Sequence, residues 1–91
     1  MTKRPLAPGD FHEEEARFAR RLKAARKQAG LTHAQLAAIT GFGKAYISYV
    51  ENLRANPSLL TCLRFARALK IDLGDLVSAR RIEALDVIED Q

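Results

Sequence analysis

Cysteine and histidine are scarce in this sequence of 91 residues. The one cysteine, Cys62, has no partner for a disulfide within the chain, as is usual in a protein of a reducing compartment. His12, His33 and Cys62 lie far apart in the sequence and lack the spacing of metal ligands. The composition therefore predicts a small domain that carries no metal ion and no other cofactor.

Long apolar runs are also missing. No stretch of about 18 apolar residues indicates a transmembrane helix. Residues 1–10 lack the apolar core of a signal peptide. Together these absences predict a cytoplasmic protein without a membrane partner.

Patterns typical of β-strands are nearly absent, whereas 47% of the residues are hydrophobic, with alanine and leucine prominent. This content is enough for one core in a single small domain, which we expect to be all-helical. The sequence contains no nucleophile with a neighbouring base and supporting acid, and no phosphate-binding glycine loop. An enzyme is therefore not predicted.

Charge is distributed unevenly along the chain. Residues 1–70 hold 13 Lys and Arg against 5 Asp and Glu, a balance of +8, and residues 71–91 hold 2 against 6, a balance of −4. A basic body with an acidic tail suits a surface that binds phosphate. The same distribution is equally compatible with ordinary solvated charge, so charge alone does not decide between the two interpretations.

The clearest local pattern lies in residues 32–53, which indicate two short helices joined by a tight turn. Thr32 is suited to the N-cap of the first helix because its hydroxyl can accept a backbone N–H. Gly41 stands where that helix must end in a positive φ, a conformation that glycine adopts without strain. Residues 44–52 then form the second helix.

The second helix has two different sides when its residues are placed at about 100° intervals. The inward side is bulky and apolar, with Tyr46, Ile47 and Val50. The outward side carries small, polar or positive residues, namely Lys44, Ala45, Ser48, Tyr49 and Asn52. Nothing on the outward side would repel phosphate, so this side could enter a nucleic-acid groove.

These residues resemble the helix-turn-helix of the Cro/phage-repressor type, also called the xenobiotic-response-element family. The resemblance spans residues 18–77 and rests on Arg26, Gly30, Leu31, Thr32, Gln35, Leu36, Ala37, Gly41, Ile47, Ser48, Glu51, Asn52, Asn56 and Pro57. It implies an all-α, five-helix lambda-repressor-like DNA-binding domain in a bacterial or phage-encoded protein that associates with the nucleoid. It also implies a partly buried ion pair between Arg26 and Glu51, a geometry that suits the two parallel hydrogen bonds of a guanidinium.

Three departures from the family pattern affect the turn and the outward side. Leu53 stands where the family usually has a glycine that ends the helix, so we expect either another capping geometry or a longer helix. Ala45 and Tyr49 stand where Gln, Arg or Asn is frequent, and Gly43 replaces Ser or Thr. Readout of DNA by few direct contacts together with DNA shape is therefore expected.

The remaining helices follow from caps and periodicity. Asp10, with Glu13 as a capping-box partner, is predicted to begin the first helix of the domain, which ends near Ala29. Its buried stripe is expected to contain Phe11, Phe18, Leu22, Ala25 and Ala29. Most of its basic residues are expected off that stripe, many on a solvated face and some near the DNA backbone, namely Arg17, Arg20, Arg21, Lys23 and Lys27. Ser58 is predicted to cap a helix over 59–69, whose core face contains Leu59, Cys62, Leu63, Ala66 and Leu69. Asp72 is predicted to cap a further helix over 73–79, which directs Leu73, Leu76 and Val77 inward.

The predicted organisation is a flexible arm over 1–9, the DNA-binding domain over 10–79, and an acidic extension over 80–91. Within the extension, Ile82, Leu85 and Ile88 recur at intervals of three, which favours a sixth amphipathic helix, and a short strand is also compatible. We expect this extension to form a dimer contact. The alternative is a tail that folds back on its own domain.

The resemblance predicts a sequence-specific regulator of transcription, acting as a repressor, that binds double-stranded DNA as a homodimer. Helix 44–52 would enter the major groove, and two copies would bind a palindromic operator with half-sites about 34 Å apart. The expected DNA contacts are Thr32, His33, Gln35, Gly43, Lys44, Ala45, Ser48, Tyr49, Asn52, Arg54 and Asn56.

Two alternatives remain open from the sequence. One is the antitoxin of a toxin–antitoxin pair, in which residues 80–91 cover a partner protein and DNA binding serves autoregulation. The other is a helix-turn-helix that has lost DNA binding, which the small residues Gly43 and Ala45 would permit.

Overall fold

The computed structural model describes residues 4–86. A single 3-10 turn, Pro8–Phe11, leads into five α-helices, with no strand in this part of the chain. The helices are α1 (His12–Gln28), α2 (His33–Thr40), α3 (Lys44–Glu51), α4 (Leu59–Leu69) and α5 (Leu73–Val77). The predicted all-α, five-helix class is confirmed. No helix within residues 4–86 is long and apolar enough to span a bilayer.

One side chain from each helix meets at the centre of the core. These five are completely buried, namely Leu22, Leu36, Ile47, Phe65 and Leu76. Burial of an aliphatic or aromatic side chain of this size contributes about 1.5–3 kcal/mol. Because α2 and α3 each place such a residue in the same core, the helix-turn-helix is fixed to the body of the domain.

The core face of α4 differs from the prediction. Phe65, which was not assigned to the core, is completely buried, whereas Leu59 is 67% exposed and Leu63 is also exposed. The stripe that faces inward runs through Cys62, Phe65, Ala66 and Leu69 at helical spacing. Apolar residues occupy more than one side of α4, and periodicity alone therefore selected a stripe that is rotated from the true one.

The start of α1 was also predicted wrongly. Asp10 does not cap this helix, because its carboxylate accepts the backbone N–H of Ala7 at 2.9 Å and two hydrogen bonds from Arg4. Proline at the start of the 3-10 turn favours this early turn, since the N-terminal positions of a helix need no N–H partner. As a result, Phe11 precedes the regular helix and is 44% exposed. Ala29, also predicted in the buried stripe, is the C-cap of α1 and is exposed.

A residue with positive φ stands just after each of the helices α1 to α4. Gly30 and Gly41 have φ of 74° and 83°, and Gly41 is the predicted stop of α2. Leu53 and Lys70 adopt the same region with φ of 60° and 59°. Helix α3 therefore does not run further, and Leu53 takes the conformation that glycine would take, with the N–H of Arg54 donating to the Tyr49 carbonyl at 2.7 Å.

The caps of the last two helices lie where the sequence predicts them. The Ser58 hydroxyl accepts the N–H of Thr61 at 3.1 Å, and Asp72 is the N-cap of α5 without a hydrogen bond from its side chain. Helix α5 ends at Val77 rather than at Ala79. Val77 is 45% exposed, contrary to the prediction, because it lies about 100° around α5 from the completely buried Leu76.

Residues 78–86, which we call the C-terminal segment, fold back onto α1. Leu85 is buried in the core and Ile82 packs against it. Residues 83–85 form a turn, so the predicted sixth helix does not occupy the described part of the extension. Residues 82 and 85 thus pack on their own domain, as in the alternative interpretation. A dimer contact through the extension stays a prediction, and Ile88 lies outside the described residues.

Arg21 holds the C-terminal segment in place. Its guanidinium donates to the carbonyls of Asp75, Ser78 and Arg80 at 2.7–3.0 Å and to both carboxylate oxygens of Asp86 at 2.7 and 2.8 Å. Only 1% of Arg21 is exposed, so its expected place off the buried stripe was wrong. It belongs to the inward stripe of α1, three residues after Phe18 and next to Leu22.

Acid is expected to weaken the hold on the C-terminal segment. Hydrogen bonds from Arg21 and from the N–H of Ile82 keep the pKa of Asp86 well below its ordinary value. A carboxyl group with a lowered pKa stabilises the folded state fully above its ordinary pKa of about 3.9, and this stabilisation is lost as the pH falls towards the folded-state pKa. The difference in free energy of unfolding between the parent and Asp86→Asn should therefore shrink below about pH 4.

Urea unfolding at a series of pH values measures this difference. The substitution Glu14→Gln, at an exposed position of α1, serves as the control for general effects of removing one carboxylate. If the parent and Asp86→Asn remain separated by the same free energy down to about pH 2, the Asp86 carboxylate does not stabilise the fold in this way.

Candidate nucleic-acid interface

A reciprocal capping box fixes the start of α2. The N–H of Gln35 donates to the Thr32 hydroxyl at 3.1 Å, and the N–H of Thr32 donates to the Gln35 side-chain oxygen at 2.9 Å. The Thr32 hydroxyl and the Gln35 oxygen are thus used within the protein. The group that Gln35 still presents outward is its amide nitrogen, which is a donor.

The turn between α2 and α3 is held by aromatic packing. The Phe42 ring lies 5.1 Å from the Phe65 ring and 5.4 Å from the Tyr46 ring, measured between centroids. The Arg64 guanidinium sits 4.9 Å above the Phe42 ring. Tyr46 is therefore half-buried and packs against the turn, as expected. Gly43, the N-cap of α3, has no atom within 4 Å of the position that a side-chain Cβ would take.

Helix α3 presents its predicted outward side to solvent. Ile47 and Val50 are buried on the inward side, whereas Lys44, Ala45 and Asn52 are exposed, Tyr49 is 50% exposed and Ser48 is half-buried. These five outward residues, Lys44, Ala45, Ser48, Tyr49 and Asn52, are called the α3 outer face below. The structure thus brings the predicted groove-facing residues together on one exposed surface.

Two side chains of the α3 outer face are joined one helical turn apart. The amide nitrogen of Asn52 lies 2.8 Å from the backbone carbonyl of Ser48 and 3.3 Å from the Ser48 hydroxyl oxygen. Spacing of four residues predicts that such side chains are neighbours on a helix. The hydrogen bonds restrict how either side chain can orient towards a ligand.

A buried ion pair connects α1 with α3. Arg26 donates to the Glu51 carboxylate through Nε at 2.7 Å and Nη2 at 3.1 Å, as the resemblance implies. Its third nitrogen donates to the Leu31 carbonyl at 2.8 Å. Burial raises the pKa of Glu51, but hydrogen bonds from Arg26 and His33 outweigh burial and keep this pKa below its ordinary value. The carboxylate therefore stays ionised in the interior.

His33 belongs to the same cluster, which the sequence did not predict. Its Nε2 lies 3.0 Å from a carboxylate oxygen of Glu51, and the imidazole is about one-third exposed. The His33 side chain, expected near the DNA backbone, is therefore engaged within the protein. No local pattern in the sequence links His33 with Glu51, which lies 18 residues further along the chain.

The other expected contacts lie in the loop after α3. Arg54 and Asn56 are both exposed, and each is close in sequence to the end of the α3 outer face.

Within residues 4–86, no group of three or more His, Cys, Asp and Glu side chains is placed to hold a metal ion. Cys62 is a half-buried free thiol whose pKa is raised by burial.

Comparison with known proteins extends these observations. The sequence model of a protein family described as helix-turn-helix matches residues 22–76. The uncharacterized HTH-type transcriptional regulator y4dJ of Sinorhizobium fredii is 36% identical over 53 residues, which cover 58% of this chain and 69% of the regulator. The immunity repressor protein of Bacillus phage phi105 is 40% identical over 57 residues, which cover 63% of this chain and 40% of the repressor.

Two solved structures have a similar fold. The restriction-modification controller protein C.AhdI from Aeromonas hydrophila matches with a TM-score of 0.67 at 33% identity, over 70% of this chain and 97% of its own. The hypothetical transcription factor NHTF from Neisseria matches with a TM-score of 0.69 at 27% identity, over 82% and 86% of the two chains. These similar proteins are described as regulators, a repressor, a controller or a transcription factor.

Proposed function

Because the chain belongs to the helix-turn-helix family of transcriptional regulators, we propose that it binds double-stranded DNA with α3 in the major groove. The observation that carries this proposal is the exposed, uncharged or positive α3 outer face on a helix whose other side is locked into the core. A helix held in this way can enter the groove without reorganisation, and the relatives support a role in regulation, as a repressor.

On this proposal, the residues of α3 have different tasks. Lys44, at the first position of the helix, contacts guanine or a phosphate, and Ala45 and Tyr49 meet a thymine methyl group or the sugar–phosphate edge. Gly43 allows the backbone to approach closely because it carries no side chain. Arg54 and Asn56 reach the phosphates beside the groove.

The start of α2 supplies phosphate contacts. The capping box occupies the N–H groups of Thr32 and Gln35, whereas the structure over residues 4–86 gives no partner to the N–H groups of His33 and Ala34. Those two N–H groups lie at the positive end of the helix dipole and can donate to a phosphate. His33 thus contributes through its backbone, and Gln35 through its amide nitrogen.

The active form on this proposal is a homodimer on a palindromic operator. One α3 spans only a few base pairs, and two-fold pairing would place two copies in successive major grooves about 34 Å apart. Because residues 82 and 85 pack on their own domain, a further surface is proposed for the dimer. The exposed leucines of α4, Leu59, Leu60 and Leu63, are suited to a second copy because exposed apolar patches mark association sites.

Substitution of Lys44 and Tyr49 by alanine should abolish sequence-selective DNA binding. The operator is first obtained by selecting bound sequences from a random DNA pool, and binding is measured by gel retardation. Each lost contact of this kind costs about 1–3 kcal/mol, so the double variant should bind the operator no better than unrelated DNA. Its free energy of unfolding should change by less than about 0.5 kcal/mol per site, since both side chains are exposed.

Lys70→Ala is the matched control, because it removes one positive charge outside α2 and α3. This variant should retain operator selectivity. If the Lys44 and Tyr49 double variant binds the operator as the parent does, the assignment of these residues is wrong. If the parent itself selects no sequence and its affinity for DNA does not fall with added salt, the chain is a helix-turn-helix without DNA binding.

No observation within residues 4–86 favours the antitoxin alternative over direct regulation. That alternative assigned the acidic extension to a partner protein, and residues 80–86 instead pack on α1. Co-purification of a second protein with the chain would support it.

A further inference from the structure

A buried hydroxyl group lies at the turn between α2 and α3. Thr40, the last residue of α2, is only 6% exposed. Its Oγ1 donates to the Leu36 carbonyl at 2.8 Å and accepts the N–H of Phe42 at 3.3 Å. A hydroxyl can do both at once, because it has one hydrogen and two lone pairs. Thr40 therefore connects the last turn of α2 to the backbone that leads into α3.

The N–H of Phe42 depends on this hydroxyl. Gly41 reverses the chain with its φ of 83°, and its own N–H returns to the Ala37 carbonyl at 2.8 Å. The N–H of Phe42 makes no hydrogen bond with a backbone carbonyl within residues 4–86. Thr40 Oγ1 gives it a partner two residues back, as in an ST-turn. Valine has the branched shape of threonine but no hydroxyl, so a valine at position 40 would remove this partner.

Helix α4 restricts the same turn from the other side. Arg64 Nη1 donates to the Thr40 carbonyl at 3.4 Å, and the Arg64 guanidinium lies above the Phe42 ring. The Phe42 ring packs against the Phe65 ring of the core. Side-chain hydrogen bonds thus hold the backbone before and after Gly41, and they restrict the direction in which the chain leaves α2.

This direction decides where the two parts of the candidate DNA surface lie. On the proposed function, N–H groups at the start of α2 donate to a phosphate while the α3 outer face enters the groove. Helix α2 has 8 residues and is therefore about 12 Å long. A change of about 10° in its angle to α3 would move its start by about 2 Å. Hydrogen-bond lengths vary by only about 0.5 Å, so such a change would break the phosphate contact while α3 stays in the groove.

We propose that Thr40 is a positioning residue for DNA binding, whose hydroxyl sets the angle between α2 and α3. This inference rests on the proposed insertion of α3 into the major groove. Burial of apolar side chains holds both helices on the core but is non-directional, whereas the hydrogen bonds of the hydroxyl are directional. Thr40 is itself buried, so it acts on DNA through the start of α2 rather than by contact.

The test measures binding of the parent, Thr40→Val, Thr40→Ala and Thr40→Ser to the operator selected from a random DNA pool. Thr40→Val and Thr40→Ala lack the hydroxyl, and each should bind about 10-fold or more weakly than the parent, the value of one lost contact. Thr40→Ser keeps the hydroxyl and should bind within about 3-fold of the parent. Because Thr40→Ser lacks a buried methyl group, it should nevertheless melt at a lower temperature than the parent. Affinity should thus follow the hydroxyl and not the stability.

A modified operator provides a readout that a purely structural role would not change. Each phosphate in turn is replaced by an uncharged methylphosphonate, which removes the charge that a donor at that position would bind. At the phosphate bound by the start of α2, this replacement should weaken the parent by about 10-fold and Thr40→Val by less than about 2-fold, since the variant has already lost the contact. Phosphates bound by the loop after α3 should remain equally sensitive in both proteins.

Asp86→Asn is the matched control for a loss of stability, because it removes hydrogen bonds in the C-terminal segment and none in the turn. It should bind the operator as the parent does, with all binding measured at a temperature at which circular dichroism shows every variant folded. The positioning role is overturned, with α3 insertion left intact, if Thr40→Val binds like the parent, if Thr40→Ser binds as weakly as Thr40→Val, or if the parent and Thr40→Val respond equally to every methylphosphonate. A parent that selects no sequence at all overturns both proposals.

Discussion

Replacement of Glu51 by alanine should lower the free energy of unfolding by about 3–5 kcal/mol. The Arg26 and Glu51 side chains are only 9% and 2% exposed, and the carboxylate accepts both hydrogen bonds of the pair. Removal of the carboxylate leaves a buried guanidinium with the Leu31 carbonyl as its remaining partner. Since a domain of this size is stabilised by about 5–15 kcal/mol in total, such a loss is large, and urea unfolding measures it.

A double-mutant cycle distinguishes loss of the pair from loss of packing. Arg26→Met combined with Glu51→Leu removes both charges and fills the space, and this double variant should be more stable than Glu51→Ala, because burial of an unpaired charge costs more than replacement of the pair. The single variants Arg26→Met and Glu51→Leu complete the cycle. If the free energy of unfolding that the double variant loses equals the sum of the losses of these two single variants, the side chains are not coupled and the prediction fails.

The second large effect is expected at Arg21. Arg21→Met keeps a long apolar side chain but removes all five hydrogen bonds that join α1 to Asp86 and to three carbonyls. The buried acceptors lose a charged donor, and we expect the free energy of unfolding to fall by about 3 kcal/mol. The C-terminal segment should also become sensitive to protease, because Leu85 and Ile82 lose the contact that holds them against the core.

Arg20 provides the matched control for Arg21. Its guanidinium reaches the same Asp86 carboxylate at 3.1 Å, but its side chain is more than half exposed. An exposed ion pair contributes about 0–1 kcal/mol, so Arg20→Met should remain close to the parent in both assays. Equal effects of Arg20→Met and Arg21→Met would show that burial of Arg21 has no energetic role.

Features governed by residues near each other in sequence could be predicted. The Thr32 cap, the positive φ of Gly41 and the two sides of α3 depend on a few neighbouring positions and on helical periodicity, and the structure has all three. The α3 outer face, which is the core of the candidate site, therefore follows from the sequence.

The features that were missed depend on partners far along the chain. Arg21 binds groups 54–65 residues away, and a charged residue in an apolar stripe has no local signal for burial. His33 contacts Glu51 for a similar non-local reason. The face of α4 was rotated because Leu59 and Leu63 are as apolar as Phe65, and only packing against Phe42 in the turn decides which side is inward.

The hydrogen bond between Ser48 and Asn52 is intermediate between these cases. Their spacing of four residues predicts that the two side chains are neighbours. The amide nitrogen of Asn52 is the atom that faces Ser48, because it also donates to the Ser48 backbone carbonyl. No sequence pattern predicts this orientation.

The left-handed backbone conformations of Leu53 and Lys70 mark two positions at which a substitution should increase the stability of this fold. Each costs about 1–2 kcal/mol relative to a glycine in the same conformation, and glycine already occupies the equivalent turns after α1 and α2. Leu53 is 43% exposed and Lys70 is also exposed, so little packing depends on either side chain. Selection of this protein for thermal tolerance should therefore enrich glycine codons at these two positions.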